Sequence, residues 1–169
     1  LVYKNDGDLH FDNATSDWNY QHALTSSGAA YADLDGDGDM DLITNNLDNQ
    51  ASIIKNTTND NGQSNYLQIE LKGEASNPFA IGSKATLFTS EGKQYLELLH
   101  ARGFQSSVEP LLHFGLGDAT IKSLQIEWYD GTISTIEEVK PNQRLKIEKA
   151  SASVTKTSIP GVANTVFAD

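Results

Sequence analysis

The sequence predicts an all-β protein whose second half is a small antiparallel β-sandwich or barrel. Short apolar runs alternating with polar residues recur at 66–71, 85–89, 93–98, 111–114, 124–129, 132–137 and 144–147, the length and period of half-buried strands. Turn signals separate neighbouring runs, Ser90-Glu91-Gly92 between the second and third and Asp130-Gly131 between the fifth and sixth. No long segment carries helical periodicity.

The first half is shorter of apolar residues and richer in turns. Leu1-Val2-Tyr3-Lys4-Asn5, the turn Asp6-Gly7-Asp8 and Leu9-His10-Phe11 read as a hairpin. Ser52-Ile53-Ile54-Lys55-Asn56 repeats the apolar-apolar-Lys-Asn ending about fifty residues later, the spacing of propeller blades. Residues 1–15 would close one blade and 28–58 supply most of the next. The polar run from Asn56 to Asn65 holds no apolar residue and reads as a linker. The expected organisation is a blade region over 1–58, a linker over 59–65, a β domain over 66–148 and a tail over 149–169. The tail, with Pro160-Gly161, fits a disordered end, a linker or one last strand equally well.

The chemistry concentrates in Asp33-Leu34-Asp35-Gly36-Asp37-Gly38-Asp39-Met40-Asp41, five aspartates on alternating positions. Two carboxylates about 4 Å apart repel by roughly 1 kcal/mol in water and about 4 kcal/mol where water is partly excluded. A hard cation offsets that repulsion, and calcium takes six to eight oxygens at about 2.3–2.6 Å. Glycines let the backbone curl so that alternate side chains converge. The expected ligands are the side chains of Asp33, Asp35, Asp37 and Asp41 with the backbone carbonyl of Asp39. An EF-hand would need a closing Glu at the twelfth position, where Thr44 stands, so the loop is a shorter one closed by Asp41.

Asp33-x-Asp35-x-Asp37-Gly38-x-x-Asp41-Leu42, preceded by Ala30-Tyr31-Ala32, resembles the calcium loop of FG-GAP or VCBS-type repeats, which implies a partial β-propeller blade. The second half resembles the ASPIC/UnbV domain through Ile81-Gly82-Ser83-Lys84-Ala85, Arg102-Gly103-Phe104-Gln105-Ser106-Ser107, Leu112-His113-Phe114-Gly115-Leu116-Gly117 and Ile126-Glu127-Trp128-Tyr129-Asp130-Gly131. That domain commonly follows such repeats, as in the cartilage acidic protein family and its bacterial relatives. One departure stands out: Tyr129 occupies the place where the family usually has Pro, which is expected to alter only the turn.

The chain has 169 residues, with 12 Lys+Arg against 23 Asp+Glu and a net charge of −11, so nucleic acid and anionic membrane are poor partners. Cysteine is absent, which excludes disulfides, thiol catalysis and Cys-based zinc sites. No apolar run is long enough to insert in a membrane as a helix. The chain begins at Leu1 and is read as a piece of a longer exported protein with upstream blades, at the cell surface or beyond it. Open carboxylate loops of extracellular modules bind calcium at about 10⁻⁴–10⁻³ M, which suits that setting.

Candidate ligand contacts are Arg102, Phe104 and Gln105, with Trp18 and Tyr20 in a second polar loop. Arg102 could clamp an anion and the aromatics could stack on a sugar or partner. The bland alternatives are Arg102 paired with Glu97 or Glu109, Phe104 in the core, and Trp18 and Tyr20 packed under their loop. His113 reads as a buried imidazole bonded to backbone. No nucleophile elbow G-x-S-x-G is present, Gly115-Leu116-Gly117 reads as a turn, and no pair among Glu97, Glu109, Glu127, Glu137 and Glu138 stands out for glycoside hydrolysis. No catalytic residue is therefore assigned. The leading expectation is an exported, non-catalytic, calcium-binding β module for adhesion or for glycan or protein recognition. The alternative is an accessory part of a polysaccharide-processing enzyme, and a third reading makes the second half an enzyme using Arg102 and His113.

Overall fold

The computed structural model describes residues 1–6, 8–18, 24–60, 62, 64–150 and 154–156. Thirteen strands and no helix occur among them, so the all-β expectation holds. The first hairpin forms, β1 (Tyr3–Asn5) against β2 (Phe11–Asn13), but its second strand begins at Phe11, with Leu9 and His10 ahead of it and not in it. A three-stranded antiparallel meander follows in the order β3 (Ser26–Ala32), β4 (Asp41–Asn46), β5 (Ser52–Ile54), with the aspartate loop joining its first two strands.

Among its described residues the second half holds two open sheets and no closed barrel. One has the order β12-β6-β9, from β6 (Asn65–Lys72), β9 (Leu112–Gly117) and β12 (Gln143–Glu148). The other runs β13-β11-β10-β7-β8, from β7 (Lys84–Thr89), β8 (Gly92–Glu97), β10 (Ile121–Glu127), β11 (Thr132–Glu137) and β13 (Val154–Lys156). Alternate residues of both sheets share one apolar core: Leu67, Ile69 and Leu71 of β6 and Leu112, Phe114 and Leu116 of β9 pack with Ala85, Leu87, Leu124 and Ile126 of the other sheet. This is the sandwich solution, in which each strand buries every second side chain. Trp128 completes the core, and its indole N–H donates to Ser134 Oγ at 2.8 Å, so its polar atom is buried without loss.

Three features depart from the expectations. β12 runs parallel to β6, with Gln143 opposite Leu67 and Glu148 opposite Lys72, although every other named pair is antiparallel. The chain reaches β12 only after β7 to β11, and such a long crossover permits a parallel return that a hairpin forbids. The residues Gly115-Leu116-Gly117, expected as a turn, continue β9, because Leu116 keeps the alternation of Leu112 and Phe114 into the core. Tyr129 also does more than shape a turn. Its backbone N–H donates to Ser83 Oγ at 3.1 Å, a bond that proline could not make.

The two halves differ in how they are held. Among the described residues of 1–58 the sole buried hydrophobic side chain is Ala14, whereas Asp39, Asp41, Thr44 and Asn46 are buried there. Asn46 bridges the meander: its Oδ1 accepts from Ser26 Oγ, and its Nδ2 donates to Gln50 O and Ser52 Oγ. Polar bonding replaces an apolar core on this side, and it fixes the strands that carry the aspartate loop.

Candidate metal centre

The backbone of loop 33–41 reverses by way of Gly36 (φ 76°) and Gly38 (φ 94°), conformations that L side chains rarely adopt. The reversal brings carboxylate oxygens of Asp33, Asp35 and Asp37 within 4.8 Å of one another. That is the span over which oxygens about 2.3–2.6 Å from a common ion can lie. Asp33 is tied by three donors: its Oδ1 accepts from the Gly36 N–H at 2.8 Å, and its Oδ2 accepts from the Gly38 N–H and from Gln68 Nε2, each at 3.1 Å. Asp41 is almost fully buried, with Oδ1 accepting from the Asn56 N–H and Oδ2 from the Leu34 N–H. Each of these oxygens keeps lone-pair capacity for a further partner.

Two carboxylate oxygens of the loop lack donors among the described residues. Asp37 Oδ1 accepts from the Asp39 N–H and Asp39 Oδ2 from the Asn59 N–H, yet Asp37 Oδ2 and Asp39 Oδ1 are buried with no hydrogen-bond partner. Burial pushes the Asp39 carboxyl above its ordinary range, and the charges of Asp37, Asp41 and Asp35 add to the effect. Buried anionic oxygens without donors cost free energy unless a cation meets them. The side chain of Asp39, only 7% exposed, thus has an oxygen that a cation could meet, in addition to its backbone carbonyl. The donor set is all oxygen and rich in carboxylate, which suits a hard divalent cation such as calcium.

Neighbours that the aspartate pattern does not reveal complete the centre. Lys55 Nζ sits 2.8 Å from Asp35 Oδ2 and 2.7 Å from Asp60 Oδ1; hydrogen bonding from Lys55 holds the Asp35 carboxyl below its usual range. Asn59 is buried, and its side-chain amide donates to the Asp37 carbonyl. Tyr66 packs on Gly38 and stacks on His113, with ring centroids 6.1 Å apart. His113 is half-buried and its Nδ1 has no partner, so the expected bond to backbone is not made there. Burial lowers its basicity. A second acidic group, Asp6, His10 and Asp12 on the first hairpin, is exposed, and His10 Nδ1 lies 3.0 Å from Asp6 Oδ2.

The other expected contacts fall in two places. Loop 102–107 is a braced hairpin tip: the Arg102 N–H donates to Ser106 O, and Ala101 bridges Ser107. Arg102 lies over the Tyr31 ring, 5.7 Å from its centroid, while Glu109 pairs with Arg144, so the pairing of Arg102 with Glu109 is not formed. Phe104 is 67% exposed and fills no core. Phe104 and Gln105 line a cavity of about 270 Å³ shared with β3 and β4. Trp18 is 64% exposed, not packed under its loop, and is not among the residues lining that cavity; Tyr20 lies outside the described residues.

Residues 73–154 match the family model described as ASPIC and UnbV. The ASPIC/UnbV match takes in strands β7 to β12, the exposed loop at Phe104 and the turn at Tyr129, and ends at the first residue of β13. The chain is also 32% identical over 111 residues to cartilage acidic protein 1 of Xenopus tropicalis, covering 64% of this chain and 17% of that protein. The cartilage acidic protein 1 of Mus musculus is 30% identical over 106 residues, covering 62% of this chain and 16% of the relative, and that of Homo sapiens is 30% identical over 107 residues with the same two shares. The chain therefore spans about a sixth of the length of these relatives. No helix among the described residues is long and apolar enough to cross a membrane.

Proposed function

We propose that the chain is an exported, non-catalytic, calcium-binding module, with an FG-GAP/VCBS-like blade ahead of the ASPIC/UnbV-like sandwich, serving adhesion or recognition outside the cell. The observation that carries the calcium reading is the pair of buried, donorless oxygens, Asp37 Oδ2 and Asp39 Oδ1, inside a loop whose other carboxylates already converge. Calcium acts structurally: it neutralises the loop and holds β3 against β4, in a half with one buried apolar side chain among its described residues. That shortage of core also supports upstream blades as partners, since Leu1, Tyr3, Leu9, Phe11 and Ile53 are exposed large hydrophobics. Relatives whose name contains cartilage support an extracellular place, where millimolar calcium matches an open loop of this kind. Thermal melts in EDTA, millimolar calcium and millimolar magnesium test the reading. A rise in Tm with calcium that magnesium does not reproduce supports it, and equal melting in all three buffers sinks it.

A further inference from the structure

We propose that the cavity between β3 and loop 102–107 is a binding site for a neutral glycan, with Phe104 as its stacking face; the proposal deepens the recognition reading above and names its ligand class. The cavity measures about 270 Å³, just below the roughly 300–1,000 Å³ typical of small-molecule sites, so it takes one or two sugar units rather than a long segment. Its polar walls are Ser27, Asn45, Gln105, Ser106 and Ser107, and no charged side chain among the described residues lines it, in a chain of net charge −11. Hydroxyl and amide groups both donate and accept, which matches the vicinal hydroxyls of a sugar. A wall without charge offers no ion pair to a uronate, a sulfate or a basic peptide.

The loop is built to hold its tip still. Ser106 Oγ donates to Phe104 O at 2.8 Å and accepts from the Ala29 N–H at 3.2 Å, tying the tip to β3. Gly28 permits the approach, for a Cβ there would meet Ser106 Oγ at 2.7 Å. Gln105 takes a positive φ of 46°, a conformation disfavoured for a residue with a side chain. A glycine would satisfy that backbone more easily; glutamine brings an amide to the cavity. Phe104 stands exposed beside these groups, and an aromatic face held on a rigid tip stacks on the apolar face of a sugar ring at little entropic cost. Arg102 lies over Tyr31 and does not line the cavity.

A peptide strand fits less well. β3 is an edge strand, the usual acceptor for strand addition, but Ser106 already takes its Ala29 N–H at the cavity.

The test is a glycan array probed with the full 169-residue chain in calcium, carrying neutral hexose and N-acetylhexosamine oligomers beside uronic-acid and sulfated chains, followed by titration of the neutral hits. The expected result is binding to neutral glycans, weakened about tenfold by Phe104→Ala and again by Gln105→Gly, and unchanged by Trp18→Ala. Gln105→Gly removes the amide while relieving the backbone, so loss of binding there is not loss of folding. Binding confined to acidic chains, no binding by protein that melts cooperatively, or binding indifferent to Phe104 and Gln105 overturns the proposal. Calcium-dependent melting with an empty array defeats the glycan site alone. Array binding without calcium-dependent melting defeats the metal reading alone.

Discussion

The ring of Tyr66 lies against Gly38 so closely that a Cβ on Gly38 would come within 2.0 Å of it. The contact joins the turn of the aspartate loop to the first strand of the sandwich, and Gln68 of the same strand adds a hydrogen bond to Asp33. The loop is thus shaped by its own glycines and by a surface 28 residues further along the chain.

Gly38→Ala is therefore expected to cost about 1–3 kcal/mol, since it adds a side chain at φ 94° and drives it into Tyr66. The drop should appear in EDTA as well as in calcium. Tyr66→Ala in the Gly38→Ala background should recover only part of it, because the backbone strain remains. A single variant that melts within a degree of the parent would refute the close packing.

Neutralising the buried carboxylates should have opposite effects in two buffers. Asp39→Asn removes a charge that burial and its acidic neighbours disfavour, so in EDTA the variant should melt at or above the parent. In about 10 mM calcium it should fall behind by the lost binding energy, about 1.4–2.7 kcal/mol for a site of 10⁻³–10⁻⁴ M. Asp37→Asn should behave alike, through its own donorless oxygen. The measurement is a pair of melts per variant, and parallel shifts in both buffers would contradict a metal centre.

A pH effect is expected far from the loop. Asp130 accepts from Lys149 Nζ at 2.8 Å and from Thr132, and these bonds hold its carboxyl below the usual range. Lys149 also pairs with Glu74 at 2.8 Å and lies over the Tyr129 ring, and its basicity is raised. A depressed carboxylate stabilises the fold fully above its unfolded value of about 3.9 and loses that contribution as the pH falls towards the folded value. A raised lysine stabilises below its unfolded value of about 10.4 and loses that as the pH rises further. The Tm gap between the parent and Asp130→Asn should be widest between about pH 5 and 9 and close below about pH 4. A gap unchanged by acid would show that the Asp130–Lys149 pair contributes nothing electrostatic.

The strands and the aspartate loop are legible in the sequence because each is a local period: alternate apolar residues for β6 to β12, alternate aspartates with glycine for the loop. The same alternation, Leu112, Phe114 and Leu116, outweighs the glycines that suggest a turn at 115–117. What the sequence hides is contact between distant segments. Gln68, Asn59 and Lys55 are ordinary polar residues until the fold brings them to Asp33, Asp37 and Asp35, and the parallel pairing of β12 with β6 leaves no mark on either strand. Trp18 is exposed against the general tendency of aromatics because the first half has almost no apolar interior among its described residues to receive it.

Lys55 provides a test of how the loop is tuned. Its ammonium contacts Asp35 and Asp60, so it supplies positive charge at a carboxylate that a metal would also use. A bound divalent ion must displace that contact or tolerate a like charge across a few ångströms. Lys55→Ala is thus expected to tighten calcium binding about threefold to tenfold, the effect of a screened unit charge on a divalent ion, while lowering the melting temperature in EDTA. Lys55→Arg, which keeps the charge, should leave the affinity near that of the parent. Calorimetric titration at two salt concentrations decides the matter: the gain from Lys55→Ala should shrink as salt rises, whereas weaker binding by that variant would make Lys55 a support of the metal-bound loop instead of a competitor for it.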